Sequence, residues 1–113
     1  MSDNATIKKS GETLDKVFIV HTICVVKISF DPLKNERNIR ERGLAFERVS
    51  DFDFESALVQ IDTRNDYGET RYIAVGQLDS RLHVLCFVET ADGIRVISFR
   101  KANDREIKRY ENR

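Results

Sequence analysis

Apolar positions along the chain fall into short runs separated by polar punctuation, and their spacing predicts a sequence of small elements. Val17 to Val26, read VFIVHTICVV, is rich in valine and isoleucine and predicts a strand that continues into Lys27-Ile28-Ser29-Phe30. The run is too short for a membrane span, His21 and Thr22 interrupt it, and no small-residue cleavage site follows. Residues 1–16 are polar and lack periodicity, so a loose tail is expected there.

Asp31-Pro32 has the form of a helix start, with aspartate as N-cap and proline at the first helical position. The helix should run to about Arg42, with Gly43 at its C′ position. Leu33 and Ile39 are its only apolar contacts, which predicts a surface helix, half covered. Leu44, Phe46 and Val49 suggest a short second helix. Phe52 and Phe54 then lead to Ala57–Ile61, expected as a first central strand. Asp62 to Gly68 is turn material. Three runs of strand chemistry follow, Arg71–Leu78, Leu82–Glu89 and Ile94–Arg100, joined by Asp79-Ser80-Arg81 and by Thr90 to Gly93, which predicts consecutive antiparallel hairpins. Apolar side chains on both faces of these strands require both faces to be at least partly covered. Asn103 with Glu106 three residues later is a variant capping box opening a helix from Asp104 to about Asn112, with Ile107 and Tyr110 as its apolar stripe. The expected architecture is α+β: an antiparallel β-sheet meander with N-terminal helices and a C-terminal helix. Residues 27–113 form a single domain behind an N-terminal extension, residues 1–26.

At 113 residues the chain suits one domain. Its 34% of charged residues sum to zero net charge, which argues against sequence-blind coating of nucleic acid. The charge is nevertheless uneven. Glu47 to Glu69 holds seven acids against two arginines, and Arg95 to Arg113 holds seven bases against three acids. A local anion site fits that pattern better than a general one. Cys24 and Cys86 lie in apolar runs and read as small hydrophobes. With no CxxC pair, and with His21 and His83 scattered, zinc-ligand spacing is absent. No cofactor is expected, and the cytoplasm is the default compartment.

The charges on the last strand raise the chemical question. Arg95 stands near its start, and Arg100-Lys101 leave it where the last helix begins. Two cations beside the free N–H groups of a helix N-terminus suit a phosphate. The competing reading is that such arginines are solvated or paired with acids such as Glu69 and Glu106.

Three blocks resemble the BrnT toxin family. Phe30-Asp31-Pro32, Lys34, Asn38 and Gly43-Leu44-Ala45-Phe46 are similar to its opening. Gly68-Glu69-Thr70-Arg71, then Gly76, matches its Gly-Glu-x-Arg and following glycine. Ile94-Arg95-Val96-Ile97-Ser98 with Arg100-Lys101-Ala102, Glu106 and Tyr110 matches its C-terminal block. The resemblance implies a metal-independent ribonuclease toxin of a type II toxin–antitoxin system, with a RelE-like fold, that cleaves RNA and inhibits translation and growth. It also implies a BrnA-like antitoxin partner in a hetero-oligomer, whose ribbon-helix-helix part binds promoter DNA, so that the toxin meets DNA only indirectly.

On that footing Arg71, Arg95 and Arg100, with Lys101 beside them, are expected to stabilise a phosphorane. Glu69 is the expected base. Arg42 stands where the family often has histidine, and there it stabilises charge. Lys34, Tyr67 and Arg105 are the expected RNA-binding residues, Tyr67 through stacking, with core or rim packing as its alternative role. His83, mid-strand, is expected to be a half-buried sheet residue. The extension before Lys27 reads either as an extra strand or as an over-long reading frame. The rival function is a non-catalytic module that docks an acidic partner or acts only as co-repressor with its antitoxin.

Overall fold

The computed structural model describes residues 27–64 and 66–113. The expected tail (1–16), the expected strand of residues 17–26, and His21 and Cys24 lie outside the described residues. In order, the described elements are β1 (Lys27–Phe30), α1 (Pro32–Arg42), a 3-10 helix (Phe46–Asp51), β2 (Leu58–Ile61), β3 (Tyr72–Leu78), β4 (Arg81–Thr90), β5 (Gly93–Lys101) and α2 (Asp104–Glu111). The five strands form one α+β sheet in the order β1-β5-β4-β3-β2.

From β2 to β5 each strand is antiparallel to the next. β1 differs: it runs parallel to β5, pairing Lys27 with Gly93 and Phe30 with Val96. The sheet is therefore mixed rather than wholly antiparallel. A parallel partner cannot be reached through a hairpin, and here most of the domain intervenes between the two strands. β2, expected as a central strand, is instead an edge strand among the described residues.

Local rules set the ends of α1. The Asp31 carboxylate accepts the Leu33 N–H at 2.9 Å, and Pro32 occupies the first turn. Gly43, at φ 65°, donates its N–H to the Ile39 carbonyl at 2.8 Å, a left-handed cap that glycine adopts without a Cβ penalty. What seats the helix was not expected. Leu33 is 74% exposed and Ile39 45%, while Asn35 and Asn38 are buried. Asn35 Oδ1 accepts the Phe46 N–H at 2.8 Å. Asn38 Nδ2 donates to the carbonyls of Leu44 and Phe99, both at 2.9 Å. The cause is the short β1, which covers β5 only as far as Val96. Beyond that residue no described strand pairs with this edge of β5, whose buried carbonyls need donors, and an asparagine supplies one.

One face of the sheet carries the larger core. Ala74, Leu85, Phe87, Ile94, Val96 and Phe99 pack against Phe46, Val49, Phe52 and Phe54, which come from the 3-10 helix and the segment after it. The Phe52 and Phe99 rings meet edge to face with centroids 5.9 Å apart. Gly76 permits this approach, since a Cβ there would stand 2.8 Å from the Phe52 ring. Among the described residues the opposite face is covered at one end, by α2: Tyr110 and Ile107 close over Leu82, Val84, Leu58, Ile73 and Val75. The β3–β4 turn is one residue shorter than expected. Arg81 already belongs to β4, and Asp79 (φ 53°) and Ser80 (φ 63°) make a two-residue left-handed turn. The capping box at α2 is present, with Glu106 N–H donating to Asn103 Oδ1 at 2.9 Å and Asn103 N–H to Glu106 Oε1 at 2.8 Å. Among the described residues no helix is long and apolar enough to cross a membrane.

Candidate functional site

The face that α2 only partly covers presents two cross-strand rows. Leu58, Val75, Val84 and Arg100 stand in register across β2, β3, β4 and β5, and Gln60, Ile73, Cys86 and Ser98 form the row beside them. Both rows line a cleft of about 360 Å³ whose remaining walls include Arg64 and, from α2, Glu106, Arg109 and Tyr110. A second cleft of about 460 Å³ lies toward α1. Lys34, Arg37, Asn38, Glu41 and Arg42 border it, with Phe46 and the β5 residues Ile97 and Ser98. Ser98 belongs to both clefts, so basic residues of α1 and of the sheet flank one continuous stretch of β5.

A β-bulge explains why so many arginines share this face. Arg95 and Arg100 are an odd number of residues apart, and a regular strand would point them to opposite sides. The register slips between Cys86 and Phe87: Cys86 pairs with Ser98 and Phe87 with Val96, leaving Ile97 as the extra residue. Arg95 therefore stands opposite Val88, Arg100 opposite Val84, and both lie on the cleft side. Lys101 follows ordinary alternation. It pairs with His83, whose ring is buried on the core side against Phe99, with centroids 5.5 Å apart. Lys101 is thus on the other face from Arg100. His83 is thus a sheet residue as expected but is buried rather than half-buried, and burial pushes its imidazole below the ordinary value.

The arginines are held by carboxylates in two groups. In the first, Glu69 accepts from Arg95 Nη2 at 2.9 Å and from Arg71 Nε at 3.3 Å, and the Arg71 guanidinium lies 3.9 Å above the Tyr67 ring. Partial burial pushes the Glu69 carboxyl up, but the hydrogen bonds and charges of Arg95 and Arg71 outweigh it and hold the group below its ordinary value. Tyr67 in turn donates to Asp62 at 3.2 Å, and Asp62 pairs with Arg64 at 2.8 Å. In the second group, Arg100 Nη1 and Nη2 meet the two oxygens of Glu106, each at 2.8 Å. The Arg100 hydrogen bonds bring the Glu106 carboxyl down to about 2. Of the acidic middle of the chain, Glu69 thus meets Arg71 and Arg95 as an intramolecular partner, while Arg100 finds its carboxylate in the last helix.

Cys86 sits between the groups. Burial pushes its thiol up, while the charges of Arg71, Arg64 and Lys34 pull against that rise. The expected phosphate seat at the start of α2 takes a different form. The chain's own Glu106 carboxylate already accepts the Asn103 N–H there, and it binds Arg100 at the same time. Arg105 is exposed on α2 and lines neither cleft. Arg42 lines the α1 cleft and donates to Asn38 Oδ1 at 2.7 Å.

Arg37, Arg64 and Arg109 were not anticipated. Arg37 had a readable signal, its spacing of one helical turn from Lys34. Arg64 lies in turn material and had none. Among the described residues no group of three or more His, Cys, Asp or Glu side chains is arranged to hold a metal ion.

A family model described as ribonuclease toxin, BrnT, of type II toxin-antitoxin system matches residues 30–106. No curated protein matches the chain.

Proposed function

The chain belongs to the BrnT family of ribonuclease toxins of type II toxin–antitoxin systems, and from that premise we propose that the arginine-bearing face of the sheet binds and cuts single-stranded RNA. The observation that carries this reading is the β5 bulge, which turns Arg95 and Arg100 to one face. A phosphate on that face meets planar, permanently charged donors matched to its oxygens. Lys34, Arg37 and Arg42 extend the same basic track across Ser98, so a neighbouring nucleotide continues over β5 toward α1. Arg105 would meet the strand only at its margin, and Lys101, on the opposite face, would act on it only through its long-range charge.

In the proposed chemistry the 2′-oxygen attacks phosphorus and expels the 5′-oxygen, which takes its proton from solvent water. Glu69, ionised at neutral pH, takes the 2′-hydroxyl proton. Arg71 and Arg95 hold Glu69 and face the developing negative charge, and Arg100 stabilises the phosphorane. Positive charge from arginine makes the step independent of added metal. Such cleavage would stop translation and growth in the cytoplasm. A BrnA-like antitoxin with a ribbon-helix-helix part would neutralise it within a hetero-oligomer, and the fold reading that accompanies this chemistry is RelE-like. The 1–26 extension is proposed to stand outside the toxin domain of residues 27–113.

One observation favours the rival reading of a binding module: Arg71, Arg95 and Arg100 all have intramolecular carboxylate partners, and Arg42 stands in place of a histidine. Incubation of the purified chain with single-stranded RNA in EDTA separates the two. Cleavage supports the ribonuclease. Binding without cleavage supports the module. Cleavage that requires a divalent ion overturns the metal-independent step.

A further inference from the structure

The geometry points to Glu106 as the positioning residue that presents one edge of Arg100 to a phosphate of the RNA, an inference that rests on the ribonuclease reading above. A guanidinium has five N–H donors along two usable edges. The end edge is formed by Nη1 and Nη2, and the side edge by Nε and the other hydrogen of Nη2. In Arg100 the end edge is filled: Nη1 donates to Glu106 Oε1 and Nη2 to Glu106 Oε2, both at 2.8 Å. The second Nη1 hydrogen goes to the Lys101 carbonyl at 3.2 Å. Nε and the outer Nη2 hydrogen remain. They form a second fork with the same spacing, on a side chain that lines the sheet cleft and is 37% exposed. A phosphate can therefore bind without displacing the carboxylate.

Glu106 is well fixed for this role. Its Oε1 also accepts the Asn103 N–H at 2.8 Å, and its own N–H is held by Asn103 Oδ1, so the capping box locks the carboxylate against the start of α2. The carboxylate in turn sets the guanidinium plane, and a donor that must meet a developing oxyanion gains from having its orientation settled beforehand. Glu106 reaches no reacting atom in this arrangement. It acts through Arg100.

The test compares wild type, Glu106→Gln, Arg100→Lys and the double variant, all in the full chain. Glutamine keeps a side-chain acceptor at the capping-box position but replaces one carboxylate oxygen with an NH₂ that faces the arginine. Expected are a ten- to hundredfold fall in kcat for Glu106→Gln with KM little changed, and an Arg100→Lys penalty of a hundredfold or more in wild type. That penalty should shrink below tenfold in the Glu106→Gln background. The second readout does not depend on cleavage. In ¹⁵N-labelled protein titrated with inorganic phosphate, the Arg100 Nε–Hε resonance should shift in wild type and stay in place in Glu106→Gln. Kcat for Glu106→Gln within twofold of wild type or above it, equal Arg100→Lys penalties in both backgrounds, or a wild-type Nε–Hε resonance that ignores phosphate would each overturn the assignment. A wild type that shifts with phosphate yet cuts no RNA would retain the fork and remove the ribonuclease reading instead.

Discussion

The side-chain amide of Asn38 donates to the Phe99 carbonyl at 2.9 Å, so α1 is tied to the edge of β5 by a polar anchor rather than by an apolar stripe. Asn38→Ala strips a donor from the Phe99 and Leu44 carbonyls and an acceptor from Arg42. It should cost about 2–3 kcal/mol of stability in urea unfolding. Asn38→Leu should do no better, because it adds apolar bulk without a donor. Full stability in the leucine variant would show that the anchor is packing after all.

The β3–β4 turn places Ser80 at φ 63°, a region that glycine enters freely and serine does not. Ser80→Gly should stabilise the protein by about 0.5–1 kcal/mol, seen as a raised thermal midpoint. Gly76→Ala, which drives a methyl to within 2.8 Å of the Phe52 ring, should lower it. A glycine at position 80 that destabilises would mean the turn does not hold this conformation in solution.

Glu106 gives the fold a pH dependence of definite sign. Its carboxyl falls from an ordinary 4.5 to about 2 on folding. The stabilisation is fully present above the unfolded value and is lost as pH drops through the folded one. Between about pH 6 and pH 2 the wild type should lose about 1–3 kcal/mol more than Glu106→Gln, allowing for solvent screening at the half-open Arg100. Parallel stability curves for the two proteins over that range would contradict the pairing.

How far the sequence reveals this protein depends on how local each feature is. Asp31-Pro32 and Gly43 bound α1 through their own backbone preferences, and Asn103 with Glu106 opens α2 in the same way, so these ends were legible. The hairpins from β3 to β5 were legible for the same reason. The parallel partner of β1 and the edge position of β2 are decided by contacts distant in sequence, and no short motif encodes them. The candidate site divides along the same line. Alternation alone places Lys101 opposite to Arg100. The bulge that brings Arg95 and Arg100 together exists only in the pairing of β4 with β5. Asn38 entered as part of a family motif, while its work as an edge donor needed the structure.

Arg100→Ala measured beside Arg40→Ala tests the central claim most directly. Arg40 is exposed in the last turn of α1 and lines neither cleft. Loss of Arg100 leaves Glu106 without its main partner and should cost about 1–2 kcal/mol, so both variants are assayed where circular dichroism shows them folded. Arg100→Ala should cut single-stranded RNA about a hundred- to a thousandfold more slowly than wild type, the cost of removing one oriented donor to a developing oxyanion. Arg40→Ala should cut at the wild-type rate. Two folded variants that cleave equally fast would show that the arginine at the mouth of the sheet cleft takes no part in the chemistry.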